Sequence, residues 1–194
     1  MTQELLNEEY YTYFDYSKWD DGERWELIEG KPHAMSPAPS WIHQGVSLQI
    51  ARRIGNYLEG KQCKVFVAPF DVRLNAETGD DTVVQPDIIV ICDRTKLVGT
   101  GCVGAPDMVV EVLSPTSAHR DIYVKFRLYQ QFGVREYWIV NTDAMTVQAH
   151  VLENGRYYTT CYGNNDSAPV HILDGCTIDL QEVFADTGIS SAQE

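Results

Sequence analysis

The six residues Met108-Val109-Val110-Glu111-Val112-Leu113 constrain the fold more than any other stretch of the chain. Read as a strand, they put Met108, Val110 and Val112 on one face and Val109, Glu111 and Leu113 on the other. Both faces are apolar, so the strand belongs at the centre of a layered α/β domain, covered from two sides. Glu111 is then a charge with no water to face. An unpaired ionised carboxylate there would cost several kcal/mol, so it needs a cation, a partner or a raised pKa.

The elements around this strand follow from local signals. Residues 24–29 and 31–35 flank Gly30 and read as a short hairpin. Ser36-Pro37-Ala38-Pro39-Ser40 is a loop, and Ser40 caps a helix running to Leu58 with Val46, Ile50, Ile54, Tyr57 and Leu58 as its apolar stripe. Residues 64–70 and 71–74 read as one strand bent at Pro69, and 83–92 as a β-branched strand containing Pro86. The Ser114-Pro115-Thr116-Ser117 loop leads to a helix over about 119–132 that Gly133 ends. A strand at 136–140 precedes a hairpin of 146–152 and 156–160 turning at Glu153-Asn154-Gly155. A short strand near 170–173 and a turn of helix at 179–184 complete the chain. The expected fold is a single α/β domain with a central mixed β-sheet flanked by helices. Its expected organisation is an N-terminal arm at 1–20, a body at 21–185 and a tail at 186–194.

Composition removes several function classes. With 15 Lys+Arg against 28 Asp+Glu the formal charge is −13, which argues against a protein that coats nucleic acid. It leaves room for a locally basic cleft. No apolar run approaches the roughly 20 residues of a membrane helix, and the acidic N-terminus lacks a signal-peptide pattern, so a soluble cytoplasmic protein is expected. The five cysteines are widely spaced with no CxxC pair, which speaks against a zinc ribbon or a disulfide framework and for free, partly buried thiols. The histidines show no zinc-type spacing.

The chemistry gathers around acids inside apolar strands. Asp87 follows Pro86 and leads into Ile88-Ile89-Val90-Ile91-Cys92. From a neighbouring strand it can share one divalent cation with Glu111, a hard-oxygen site suited to magnesium. Asp107 competes for this role, but on one strand it stands roughly 13 Å from Glu111, too far to share an ion. Lys125, on the helix after Glu111, can place its ammonium beside the two acids, activating a water or stabilising a developing phosphorane charge. The competing reading is a solvated Asp121–Lys125 pair on the helix surface. His43 begins the first helix, where a side chain either meets a substrate phosphate or simply caps a helix. Arg52 and Arg53, with Lys61 and Lys64, form a local basic stretch that tracks a phosphate backbone or lines a solvated helix face. Asp71 is either second to the ion or a strand-bend acid.

Three segments carry a family resemblance: Val84-Gln85-Pro86-Asp87-Ile88-Ile89-Val90, Ala105-Pro106-Asp107-Met108-Val109-Val110-Glu111-Val112-Leu113-Ser114-Pro115-Thr116-Ser117, and Gly133-Val134-Arg135-Glu136-Tyr137-Trp138-Ile139-Val140. With Trp25-Glu26-Leu27-Ile28-Glu29-Gly30, Met35-Ser36-Pro37 and His43, the chain resembles the Uma-two family over about residues 20–185. That family is similar to the PD-(D/E)XK, restriction-endonuclease-like nucleases. The resemblance implies Asp87 and Glu111 as the paired acids, with the Val112 carbonyl, holding Mg²⁺ or Mn²⁺. It implies Glu26 as an N-terminal acid completing the site, with Glu29 as the competing assignment, and DNA as the substrate of a metal-dependent endonuclease. The superfamily lysine two residues after the second acid is replaced by Leu113, and Lys125 takes its place from the next helix. A homo-oligomer, in the simplest case a dimer, suits cleavage of two strands. The alternative is a catalytically weak or inactive nuclease-fold module serving binding or assembly.

Overall fold

The computed structural model describes residues 9–35, 38–114 and 118–185. From the N-terminus these form α1 (Tyr13–Tyr16), β1 (Trp25–Ile28), β2 (Lys31–Ala34), α2 (Trp41–Tyr57), β3 (Lys64–Val67), β4 (Asp71–Arg73), β5 (Val83–Val84), β6 (Ile88–Ile91), β7 (Leu97–Val98), β8 (Gly101–Val103) and β9 (Met108–Val112). A π-wound turn at Arg120–Lys125 runs into α3 (Phe126–Phe132), followed by β10 (Glu136–Asn141), β11 (Thr146–Glu153), β12 (Arg156–Tyr162), β13 (Ser167–Pro169), β14 (Thr177–Asp179) and α4 (Leu180–Phe184).

The strand around Glu111 sits where its composition demands. All five residues of β9 are buried, within the sheet order β12-β11-β10-β9-β6-β3. β9 runs parallel to β10 and antiparallel to β6, so the sheet is mixed. One face, with Ile88, Val90, Val110, Val112 and Trp138, packs on Val46, Ile50 and Ile54 of α2 and on α4. The other, with Ile89, Val109, Tyr137 and Ile139, meets Leu128 and Tyr129 of α3 together with Val72, Val84 and Cys102. Those last three belong to a second mixed sheet of order β2-β1-β5-β4-β8-β7. Sequence reading anticipates the central sheet and the flanking helices; the second sheet is an addition to it.

Local chemistry places the elements. Ser40 caps α2 by accepting the His43 amide at 3.2 Å. Gly133 ends α3 at φ 83°, a left-handed position that a Cβ would strain. Asn154 and Gly155, with φ 50° and 78°, turn the chain from β11 into β12.

The strands differ from expectation at the prolines. Residues 64–74 are not one bent strand: β3 pairs with β6 in the central sheet, while β4 pairs with β5 and β8 in the second. The run 83–92 divides in the same way around Pro86, with β5 in one sheet and β6 in the other. Proline offers no amide to a ladder, so the chain leaves one sheet there and enters the other. Residues 170–173 form a turn, not a strand, and the flanking β13 and β14 pair instead. The free-thiol expectation fails for Cys63 and Cys92, which form a disulfide. The β3–β6 register pairs Lys64 with Ile91, and one step further it brings these two cysteines face to face. Cys102 and Cys176 are buried thiols and Cys161 an exposed one. Ser36-Pro37, residues 115–117 and the tail from 186 lie outside the described residues.

His150 on β11 provides a test of the α3-side core. It is buried against the rings of Phe126, Tyr137 and Tyr157, with Nδ1 2.7 Å from Thr159 Oγ1. Burial draws its pKa down to about 4. The unfolded chain therefore binds this proton below about pH 6.5, whereas the folded chain does so only near pH 4. Its contribution is constant above pH 6.5, and stability falls by about 3 kcal/mol as the pH drops to 4. Urea titrations across that range should show this component in the wild type and its absence in His150→Leu.

Candidate active site

The segment Gln85-Pro86-Asp87 carries the chain from the second sheet into the central one and fixes an acid on each side. The Gln85 amide donates to Glu26 Oε1 at 3.0 Å. Asp87 Oδ2 accepts the Val112 amide at 2.8 Å. The β6–β9 register pairs Ile88 with Val110, so one step further Asp87 stands opposite Glu111 across adjacent strands. Directly opposed residues share a face of the sheet. Asp107 lies away from this pair, with Oδ2 on the Cys92 amide at 2.7 Å and Oδ1 on Arg135 at 3.0 Å.

Lys125 occupies the centre. Its Nζ lies 2.8 Å from Glu111 Oε1, 2.8 Å from Glu26 Oε1 and 3.5 Å from Asp121 Oδ1. The Asp121–Lys125 pair of the surface reading exists, but inside the protein: Lys125 is 4% exposed, Asp121 2%, Glu111 4% and Glu26 1%. Tyr129 adds its hydroxyl to Glu111 Oε1 at 2.9 Å. The π-wound turn is what brings Arg120, Asp121 and Lys125 to the cluster, a geometry frequent at functional sites. Glu29 is exposed in the β1–β2 turn, so Glu26 is the hairpin acid that faces the cluster.

Electrostatics divide the acids. Burial pushes Glu26 up, but Lys125, the Gln85 amide and Arg120 outweigh it and hold the carboxyl below its usual range. Burial raises Glu111 well above the ordinary carboxylate range; Lys125 opposes this, and Asp121, Asp87 and Glu26 add to it. Burial pulls Lys125 down, yet the surrounding carboxylates win and keep it protonated. His43, in the first turn of α2, lies with Nε2 3.3 Å from Asp87 Oδ2 and also faces the Val112 carbonyl. Burial lowers its pKa, but the Asp87 bond and charge prevail and raise it.

These groups line one cleft of about 770 Å³, among them Glu26, His43, Asp87, Glu111, Arg120 and Lys125. Among the described residues the cluster sets four carboxyl groups, those of Glu26, Asp87, Glu111 and Asp121, beside the cations of Arg120 and Lys125. Among the described residues no donor reaches Asp87 Oδ1 or Glu111 Oε2. These are hard-oxygen ligands of the kind magnesium takes, with water completing its shell. No three His, Cys, Asp or Glu side chains among the described residues close a cage by themselves. Asp87 and Glu111 are the two carboxyl groups whose chemistry fits such an ion.

Arg52 and Arg53 are not brought to the cleft. Arg52 bonds Gln49 at 2.8 Å, and Arg53 pairs with Glu182 of α4 at 2.7 Å. Asp71 accepts from Tyr16 and Gln85 at the strand bend. Arg120 and Tyr129 escape sequence reading. Tyr129 reads as part of an apolar stripe, and nothing in the spacing marks a π-wound turn that swings Arg120 inward.

The mixed α/β fold thus carries an acid–lysine cluster beside its central strand β9. The chain belongs to the Uma2 family, described as "Putative restriction endonuclease", whose pattern matches residues 11–181. A Synechocystis sp. relative, "Uncharacterized protein slr1290", is 26% identical over 156 residues, covering 78% of this chain and 80% of the relative. The fold is similar to the crystal structure of a "putative nuclease belonging to DUF820" from Anabaena variabilis. The TM-score is 0.74 at 18% identity, over 90% of this chain and 98% of the other. No described helix is long and apolar enough to cross a membrane.

Removing the central cation tests this electrostatic arrangement. Lys125→Met leaves Glu26, Glu111 and Asp121 buried around an apolar chain, which should cost about 3–5 kcal/mol at pH 8. The deficit should narrow towards pH 4, because the stranded carboxylates have raised pKa values and the folded state gains by binding protons. Urea denaturation at both pH values checks the sign and the size.

Proposed function

We propose that this protein is a metal-dependent DNA endonuclease that hydrolyses phosphodiester bonds in the cleft between the two sheets. The observation that carries the reading is the pair of oxygens that no described donor reaches, Asp87 Oδ1 and Glu111 Oε2, in a cluster where four carboxyl groups meet the cations of Arg120 and Lys125. Asp87, Glu111 and the Val112 carbonyl would hold Mg²⁺ or Mn²⁺, with Glu26 in support. That ion supplies Lewis-acid polarisation of the phosphate and lowers the pKa of an attacking water. Lys125 and Tyr129 both hold Glu111 Oε1, and no described donor reaches Oε2. His43 holds Asp87 from α2, a 17-residue helix whose N-terminus opens on the same cleft and favours an anion there. In hydrolysis the water oxygen bonds to phosphorus, the P–O3′ bond breaks, and the leaving oxygen takes a proton. Cutting both strands of a duplex calls for two such clefts, so a pair of chains belongs to the proposal.

Calorimetric titration of Mn²⁺ into wild type and Asp87→Ala, with a supercoiled-plasmid assay, tests the reading. Wild type should bind metal saturably and be stabilised by about 2.7 kcal/mol at 100 times its Kd. Asp87→Ala should lose both effects, and Asp87→Ala and Glu111→Gln should each lower plasmid cleavage by roughly 100-fold or more. Absence of metal binding by wild type at millimolar Mn²⁺ would sink the reading. A second reading, an inactive nuclease-fold binding module, draws support from the −13 charge and from a lysine already held by its acids. It expects wild-type plasmid to stay intact and Asp87→Ala to leave biological function unchanged.

A further inference from the structure

The two permanent cations at the cluster are held in opposite ways. Lys125 is buried and has three N–H donors, and Glu26, Glu111 and Asp121 surround them. Turning that ammonium towards a substrate would leave buried carboxylates without their counter-charge. Arg120 lies five residues earlier on the π-wound turn, lines the same cleft, and its side chain is 28% exposed. Its contacts with the protein are all long. Nη1 is 3.5 Å from Glu26 Oε2 and 3.4 Å from the Ala34 carbonyl, and Nη2 is 3.5 Å from that carbonyl. These lie beyond the range of firm N–H···O bonds, and among the described residues nothing accepts from Nε. Arg24, the other arginine lining the cleft, is committed to Gln85 Oε1 at 2.6 Å.

We propose that Arg120 is the residue that grips a substrate phosphate in this cleft, while Lys125 stays with the carboxylates. This rests on the nuclease reading above. A guanidinium presents a planar fork of donors that matches two non-bridging phosphate oxygens, a geometry an ammonium does not offer. Glu26 and the Ala34 carbonyl keep the fork inside the cleft without saturating it. Nucleic acid, or a mononucleotide phosphate that mimics its end, displaces only weak contacts when it binds. Cleft selectivity for phosphate then comes from one loosely held arginine in a chain that otherwise repels anions.

The test uses the full chain as wild type, Arg120→Gln and Arg120→Lys, with two calorimetric titrations and a plasmid assay. Mn²⁺ titration reports the acids, and Arg120→Lys should bind it within about twofold of wild type while Arg120→Gln, having lost a nearby positive charge, should bind it at least as tightly. Thymidine 5′-phosphate is then titrated into the Mn²⁺-loaded proteins. Arg120→Gln should bind it about 10- to 100-fold more weakly, the usual loss for a charge-assisted pair. Arg120→Lys should recover only part of that loss, and plasmid cleavage should fall in the same order. Wild type that binds Mn²⁺ while Arg120→Gln keeps nucleotide affinity within twofold overturns the assignment of Arg120 alone. Wild type that takes up Mn²⁺ but no nucleotide overturns it too. Wild type that binds no Mn²⁺ overturns the nuclease reading, and this inference with it.

Discussion

The Lys125 ammonium sits between carboxylates that belong to different sheets, Glu26 on β1 and Glu111 on β9, at 2.8 Å from each. Neither carboxylate could remain buried and ionised without it, because removing such a charge from water costs several kcal/mol unless a counter-ion is present. The ion cluster therefore does more than occupy the cleft. It ties β1 of the second sheet to the centre of the first. It also sets which way the free oxygen of Glu111 points.

Much of this was legible in the chain. Ser40, Gly133 and Asn154-Gly155 mark their helix start, helix stop and hairpin turn by conformational needs that few other residues meet. Glu111 announces itself because a carboxylate inside an apolar strand has so few cheap explanations. Other features were hidden because they depend on pairing between distant segments. Pro69 reads as a bend and Pro86 as a residue within one strand, but whether the chain stays in one sheet or changes sheets there is decided by partners far away in sequence. The Cys63–Cys92 bridge follows from the β3–β6 register, which the two cysteines alone do not reveal. Arg120 was missed because an α-helical spacing would not turn it towards Glu26, whereas the wider turn does.

Charge works here at two scales. The whole chain is acidic, and at the cluster the acids outnumber the cations. Such a site does not attract a polyanion from a distance. On the proposed reading, recognition is short-ranged and rests on groups that meet a phosphate only inside the cleft.

The passage of Gln85-Pro86-Asp87 from one sheet to the other has a mechanical consequence. Each sheet is stiffened by its own ladder, but few covalent threads join them near the cleft, and this one carries Asp87 while its amide holds Glu26. A small slide of one sheet over the other would leave both ladders whole and yet change the gap between Glu26 and Glu111. The apolar seam between the sheets, where Val72, Val84 and Cys102 meet Ile89 and Val109, acts as the bearing for that slide. Swapping a methyl group in the seam can therefore detune the spacing of the acids without touching any of them.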